Sequence, residues 1–300
     1  MQGIGLLNLG TRALERVSCS PIHANEGAMF DVDLLKHLNP GDILIGDRGF
    51  FSYIRLAMLA NAGVGVVMRL NSPGCWPKEI AGDEGWIRRR KPSLAKTPMQ
   101  WSDEEWDALP QSTAIRYVRI RVERKGFRSQ TLYLATTLAD ISAEDLAALY
   151  FERWAVELCF DDLKTTLGMD FIPVKSPEMA EKMVLMLAIV HNLIRWGMNQ
   201  SSSRFHVPIK ELSFKGALDS IARFARECHH RGHRQCTRFF DSLLSVIAAD
   251  RLPSRPGRIE PRVIKRRPRA FDYMTNPRAQ CRAEIAASWK LQNAPTNALS

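Results

Sequence analysis

Nowhere does this 300-residue chain offer ~18 consecutive uncharged apolar residues, the length that a membrane-crossing helix needs. Its first residues, MQGIGLLNLGTR, lack a basic segment followed by a full apolar core, so neither a membrane span nor secretion is expected. Cysteine is scarce and unpatterned, at Cys19, Cys75, Cys159, Cys228, Cys236 and Cys281. That excludes a small disulfide-stapled scaffold and fits a reducing, cytoplasmic setting. No internal repeat is present, which excludes a solenoid. Acids are the minority charge, 32 against 42 Lys and Arg, giving +10 and a pI near 9.5. Acidic surfaces and nucleic acids are both compatible partners, and charge alone does not choose between them.

What is present reads as α/β. GDILIGDRGF (41–50) holds a short apolar run ending at Gly46-Asp47, FSYIRLAMLANAG has helical spacing up to Gly63, and VGVVMRL (64–70) is β-branched. Strand, helix, strand is the usual crossover between parallel strands, and it leaves Asp47 at the carboxyl end of its strand, where such sheets place their chemistry. Upstream, NEGAMFDVDLLKHL (25–38) has amphipathic helical spacing, with Asn25 as its cap and Pro40-Gly41 as its stop. From about residue 71 to 140 Pro, Gly and Trp become frequent. The runs TAIRYVRIRVER and RSQTLYLATTL then predict an antiparallel pair joined at Lys125-Gly126. A long helix is expected from Ser142, where SAED has the form of a capping box, and a second, mostly apolar and core-like, from about Pro177 to Gly197. Helical runs follow near 209–226 and 236–250. Residues 251–282 carry ten Arg or Lys against two acids and are proline-rich, which reads as an extended basic arm.

Inside the first of those helices lies YFERWAVELCFDDLK (150–164). Tyr150, Arg153, Glu157 and Lys164 sit at offsets of three, seven and fourteen, which a continuous helix gathers into an arc of about 60°. One reading is a solvated face with an ordinary i, i+4 pair between Arg153 and Glu157. Against it, the rest of the circumference is apolar, with Leu149, Phe151, Trp154, Val156, Leu158 and Phe160. A carboxylate on a helix facing another at a strand end is what a magnesium site needs, because hard cations take oxygen ligands and keep waters for substrate phosphates. Two such metals can activate a water and stabilise the leaving oxygen of a phosphodiester. An Arg, a Lys and a Tyr beside them suit the phosphate being cut.

These residues carry a resemblance. GDILIGDRGF and YFERWAVELCFDDLKTTLGMD resemble the second acidic motif and signature helix of insertion-sequence transposases of the DDE superfamily, the IS-four type. The signature, Tyr, two residues, Arg, three, Glu, six, Lys, is matched at Tyr150, Arg153, Glu157 and Lys164. The resemblance extends through SPEMAEKMVLMLAIVHNLIR, SFKGALDSIARF and RPGRIEPRVIKRRPRAF, over most of the chain. It implies a ribonuclease-H-like mixed sheet interrupted by a β-rich insertion, with a helical, basic C-terminal region. The implied divisions are 1–70, the first part of the catalytic domain; 71–141, the insertion; 142–200, the helices with the signature; and 201–300, the helical region and basic arm. It implies Asp47 and Glu157 as ligands of Mg²⁺ or Mn²⁺, and Tyr150, Arg153 and Lys164 as contacts to DNA. The partners it implies are transposon ends and target DNA, held by paired subunits. The resemblance also implies an insertion-domain Trp that stacks on an extruded base, for which Trp86 and Trp101 are candidates without an aligned position, whereas the plain reading of either is core.

One departure stands out. The family's first catalytic Asp lies on the first strand, well upstream of the second, whereas GIGLLNLGTRALERVSCS resembles its second and third strands. The first strand and its Asp are not seen here. Asp31 and Asp33 belong to a helical segment and read as surface or first-turn acids. Cys228, His229, His230, His233 and Cys236 are soft ligands, but C-x7-C is not a usual zinc spacing, and loop histidines are the plain reading. Gly63-Val64-Gly65 precedes a strand instead of opening a helix, so it is no nucleotide loop. Three functions stay open: a DDE transposase polypeptide, a non-catalytic DNA-binding or regulatory remnant of one, and a structural domain with a basic tail.

Overall fold

The computed structural model describes residues 2–20, 26–30, 34–92, 102–122, 130–174, 176–228, 233–253 and 276–292. It opens with a hairpin of β1 (Gln2–Leu7) and β2 (Leu14–Ser20), closed by a loop in which Asn8 Oδ1 accepts from the amides of Gly10 and Thr11. Arg12 takes a left-handed φ of 58° there. Of the segment expected to be one helix over 25–38, the described residues hold α1 (Glu26–Met29), π-helical Phe30 and Leu34, and a 3-10 turn at Leu35–His37. Phe30 and Leu34 pack into a core cluster with Ile4, Leu6, Leu44 and Leu56. Asn25, Asp31 and Asp33 lie outside the described residues.

The parallel unit forms as expected. β3 (Ile43–Gly46) pairs in parallel with β4 (Gly65–Arg69) through α2 (Tyr53–Asn61), which ends where Gly63 adopts a φ of 74°. Ala57, Leu56 and Val66 are fully buried between helix and sheet. Next come β5 (Glu84–Arg90), a short α3 (Asp103–Asp107), β6 (Ser112–Val122) and β7 (Gln130–Thr136). The sheet order is β3-β4-β7-β6-β5, so the strands expected in an insertion continue the sheet of the parallel unit, with β4 antiparallel to β7. Alternation in β6 and β7 buries Ile115, Tyr117, Leu132 and Leu134 and explains why they pair. The turn residues Lys125 and Gly126 fall outside the described set.

Helices complete the first unit: α4 (Ala143–Phe151), α5 (Trp154–Asp161) running into a π turn at Asp162–Thr166, α6 (Pro177–Phe205), α7 (Phe214–Cys228) and α8 (His233–Ala249). The reading of α6 as core holds for one face only. Val184, Ala188, His191, Ile194, Met198 and Ser201 are buried at three- and four-residue spacing, whereas Met186, Ile189, Leu193 and Trp196 are exposed. Asn192 ties this helix to β2, donating to the Leu14 carbonyl and accepting from its amide, both at 2.8 Å. Residues 259–300 form a second unit, in which α9 (Arg278–Gln292) is helical. The basic arm therefore ends in a helix, and its residues 254–275 lie outside the described set. Among the described residues no helix is long and apolar enough to cross a membrane.

Candidate active site

Ser142 starts α4 by accepting the amide of Asp145, the cap that the sequence signals. Leu146, Ala147 and Tyr150 then pack under the helix against Val67, Val118 and Leu134 of the sheet. That packing fixes the rotation of α4 and turns the Tyr150 hydroxyl toward the end of β3. The helix does not continue from there. The amides of Glu152, Arg153, Ala155 and Val156 each bond the carbonyl three residues back, a tight kink that divides α4 from α5. Glu152 is held at this kink by Arg12 of the hairpin loop, at 2.5 Å.

Asp47 follows β3 directly and caps the next turn, accepting from the amide of Arg48 at 2.7 Å. Its carboxylate meets the Tyr150 hydroxyl at 3.4 Å and the Arg153 guanidinium at 3.7 Å. The other side of that guanidinium donates to Glu157 at 2.8 Å. Arg153 therefore lies between two carboxylates, side chains 44% and 42% exposed, that both line the cavity between β1 and β3. Four of the five residues singled out from sequence converge here. Lys164, in the π turn, sits over the Phe160 ring and lines a neighbouring cleft that it shares with Glu157, not with Asp47.

Burial pushes the Tyr150 phenol above its usual range, and the Asp47 carboxylate pushes it further, so at neutral pH it is a proton donor. Burial draws the Arg153 guanidinium down, but its bond to Glu157 and the nearness of Asp47 outweigh that and keep it charged. Two half-exposed carboxylates offer hard oxygen donors suited to Mg²⁺ or Mn²⁺, which bind through one or two carboxylates plus waters and phosphate oxygens. No cluster of three or more His, Cys, Asp or Glu stands ready for a metal among the described residues. Of the soft ligands near Cys228, His229 and His230 fall outside the described residues, as does Trp101. Trp86 is exposed on β5.

Sequence reasoning missed the support beneath the signature. Asp162 accepts from Arg195 at 2.6 Å, Arg195 donates to His191 Nε2 at 3.5 Å, and Cys159 Sγ lies 3.5 Å from the same nitrogen. Burial raises the Cys159 thiol to about 12 and lowers His191 to about 4, so both are neutral. The i, i+4 spacing of His191 and Arg195 was the available signal, hidden by an otherwise apolar helix.

A model described as a transposase DDE domain matches residues 4–193, which include every residue of the cluster. Transposase InsG for insertion sequence element IS4, of Escherichia coli (strain K12), is 25% identical over 182 residues, 58% of this chain and 39% of that protein. The chain thus spans about two fifths of the length of this relative. With the family model covering well over half of its residues, the chain belongs to the transposase DDE domain family.

Proposed function

We propose that this chain supplies the Asp47–Glu157 half of a metal-dependent phosphodiester site used in DNA transposition, cleaving and joining transposon ends and target DNA. The observation that carries the reading is the Arg153 guanidinium bridging Asp47 and Glu157 beneath the Tyr150 hydroxyl. Asp47 and Glu157 would hold Mg²⁺ or Mn²⁺, which when bound polarises the scissile phosphate and the attacking oxygen. Arg153 would leave its carboxylates for a phosphate, which its planar fork can grip with two hydrogen bonds. Tyr150 keeps its proton and donates to a non-bridging oxygen. Lys164, one cleft away, tracks the strand as a point charge. Paired subunits on paired DNA ends are the expected assembly, and a reducing cytoplasm is the expected setting.

A second reading is a non-catalytic DNA-binding or regulatory polypeptide. The absence of a third metal-ligating side chain among the described residues favours it. Nicking of supercoiled DNA with Mg²⁺ or Mn²⁺ separates the two. Catalysis by this chain predicts nicking that Glu157→Ala abolishes. Binding of DNA with equal, metal-independent background nicking by both proteins would leave the non-catalytic reading.

A further inference from the structure

Within the signature the chain leaves the α pattern. Over Asp162–Thr166 it forms a π turn, in which the Leu167 amide reaches back to the Asp162 carbonyl at 2.9 Å. Turns of this kind are uncommon, occur mostly as single bulges and are frequent at functional sites. The stretch reads DLKTT, with no glycine or proline to break a helix. The Thr165 hydroxyl donates to the Asp161 carbonyl at 2.6 Å, which favours a bend here. The side chain that grips the turn itself is Arg195. Its guanidinium donates to the Asp162 carboxylate at 2.6 Å, and Asp162 is the residue whose carbonyl closes the turn.

That guanidinium sits in a built socket. It lies over the Phe214 ring, 4.8 Å from the centroid, donates to His191 Nε2 at 3.5 Å and is 3.7 Å from Met198 Sδ, while Phe214 stacks on His191. His191, Met198 and Phe214 are all buried, so the packed faces of α6 and α7 set where Arg195 points. A buried ion pair is often no more stabilising than apolar packing of the same volume, and its best-attested use is to fix register. The register at stake here is that of Lys164, the middle residue of the turn. Leu163 beside it is buried against Leu14, Cys159 and Ala188. Lys164 projects over the Phe160 ring, 5.9 Å from its centroid, in the cleft that it shares with Glu157.

We infer that Arg195 is a positioning residue: by gripping Asp162 it fixes the π turn, and through the turn the direction in which Lys164 meets a DNA phosphate beside Glu157. The contact with phosphate rests on the phosphodiester reading, whereas the placing of Lys164 does not. Arg195 itself, its side chain 11% exposed, is too covered to grip a strand.

The test uses the full chain with isotope-labelled methyl groups on its lysines, a modification that keeps their charge. Nuclear magnetic resonance is recorded first without DNA or metal. The Lys164 signal, assigned by its loss in Lys164→Arg, is expected upfield of that of exposed Lys215, because the face of the Phe160 ring shields it. Replacing the pair together, Arg195→Met with Asp162→Leu, removes both charges and keeps the site filled, so the fold is expected to survive. In this variant the Lys164 signal is expected to move to the position of an exposed lysine, while that of Lys91, over the Trp106 ring, stays in place. Asp162→Ser is the second variant. It withdraws the carboxylate and leaves the socket intact, and water in the cleft that Asp162 and Arg195 line can reach the freed guanidinium, so the same shift is expected. Asp162→Asn keeps an acceptor oxygen for Arg195 and is expected to keep the wild-type signal. A Lys164 signal that stays in place in either disrupting variant, once folded, overturns the proposal.

Binding of a short fluorescein-labelled duplex of mixed sequence is then titrated against salt in EDTA. In the paired variant the slope of log affinity against log salt is expected to fall by about 1, and Lys164→Ala is expected to add nothing to that loss. Losses that simply add would overturn the proposal, because Arg195 would then act on DNA by another route than Lys164. If Lys164→Ala leaves the wild-type slope unchanged while its signal still moves in the disrupting variants, the placing of Lys164 by Arg195 stands and Lys164 leaves the phosphodiester reading.

Discussion

The Arg153 guanidinium stands 3.7 Å from the Asp47 carboxylate, joining a helix kink to the end of a strand far from it in sequence. With its second bond to Glu157, this cation bridges two acids that would otherwise repel each other. On the proposed reading, a metal ion and a phosphate replace it there.

Replacing Arg153 with Ala separates its roles. The ion pairs are partly exposed, so stability is expected to change by less than about 1 kcal/mol in urea unfolding. Uncovering the two carboxylates is expected to tighten Mn²⁺ binding. DNA affinity is expected to fall, with the slope of log affinity against log salt reduced by about 1 in fluorescence anisotropy titrations. An unchanged slope would mean that Arg153 is only a structural pair.

Acid lability is expected from His191. Burial, reinforced by the Arg195 cation and only partly offset by its bond to Asn192, holds this imidazole at about 4 against an ordinary 6.5. The unfolded chain takes up a proton as pH falls through 6.5, and the folded chain refuses it until near 4. The histidine's share of stability is therefore complete above pH 6.5 and is lost progressively down to about pH 4, roughly 3 kcal/mol in all. Asp162, raised by burial despite Arg195, works in the opposite sense, because the folded state protonates it first. Urea unfolding at pH 7 and pH 4.5 isolates the histidine when wild type is compared with His191→Gln. The wild-type loss is expected to exceed the variant's by about 2 kcal/mol. Equal losses would place the acid sensitivity elsewhere.

The sequence carried much of this site, and the reasons are local. Asp47 was found because an apolar run ended at Gly46-Asp47 before a helix, and β3 and α2 form there. The signature residues stand out by their spacing, which gathers them on one face only if the helix is continuous. The chain kinks at Glu152 and Arg153, where every residue is a competent helix former, because Glu152 is claimed by Arg12 and Tyr150 by the sheet. Neither pull leaves a local mark. The same limit explains α6, whose apolar residues looked uniformly buried although neighbours cover one face only. It also explains β6 and β7, whose pairing with each other was legible from alternation. Their attachment to β4 depended on a partner distant in sequence.

The sheet-facing side of α4 is expected to be the sensitive one. Leu146 is fully buried with Val67, Val118 and Leu134. Leu146→Ala is expected to cost 2–5 kcal/mol in urea unfolding, by lost transfer energy and a cavity that the sheet cannot close. Ser142→Ala removes the cap of the same helix and is expected to cost about 1 kcal/mol. A Leu146→Ala cost no larger than that of the cap would contradict the packing that orients Tyr150.

Mn²⁺ binding followed by electron paramagnetic resonance, for wild type, Asp47→Ala, Glu157→Ala and the double variant, tests the central claim most directly. If one ion is held jointly by the two carboxylates, each single variant loses at least tenfold in affinity and the double variant loses little more than either single one. Affinity untouched by the single substitutions, or losses that simply add, would show that Asp47 and Glu157 do not share a metal ion.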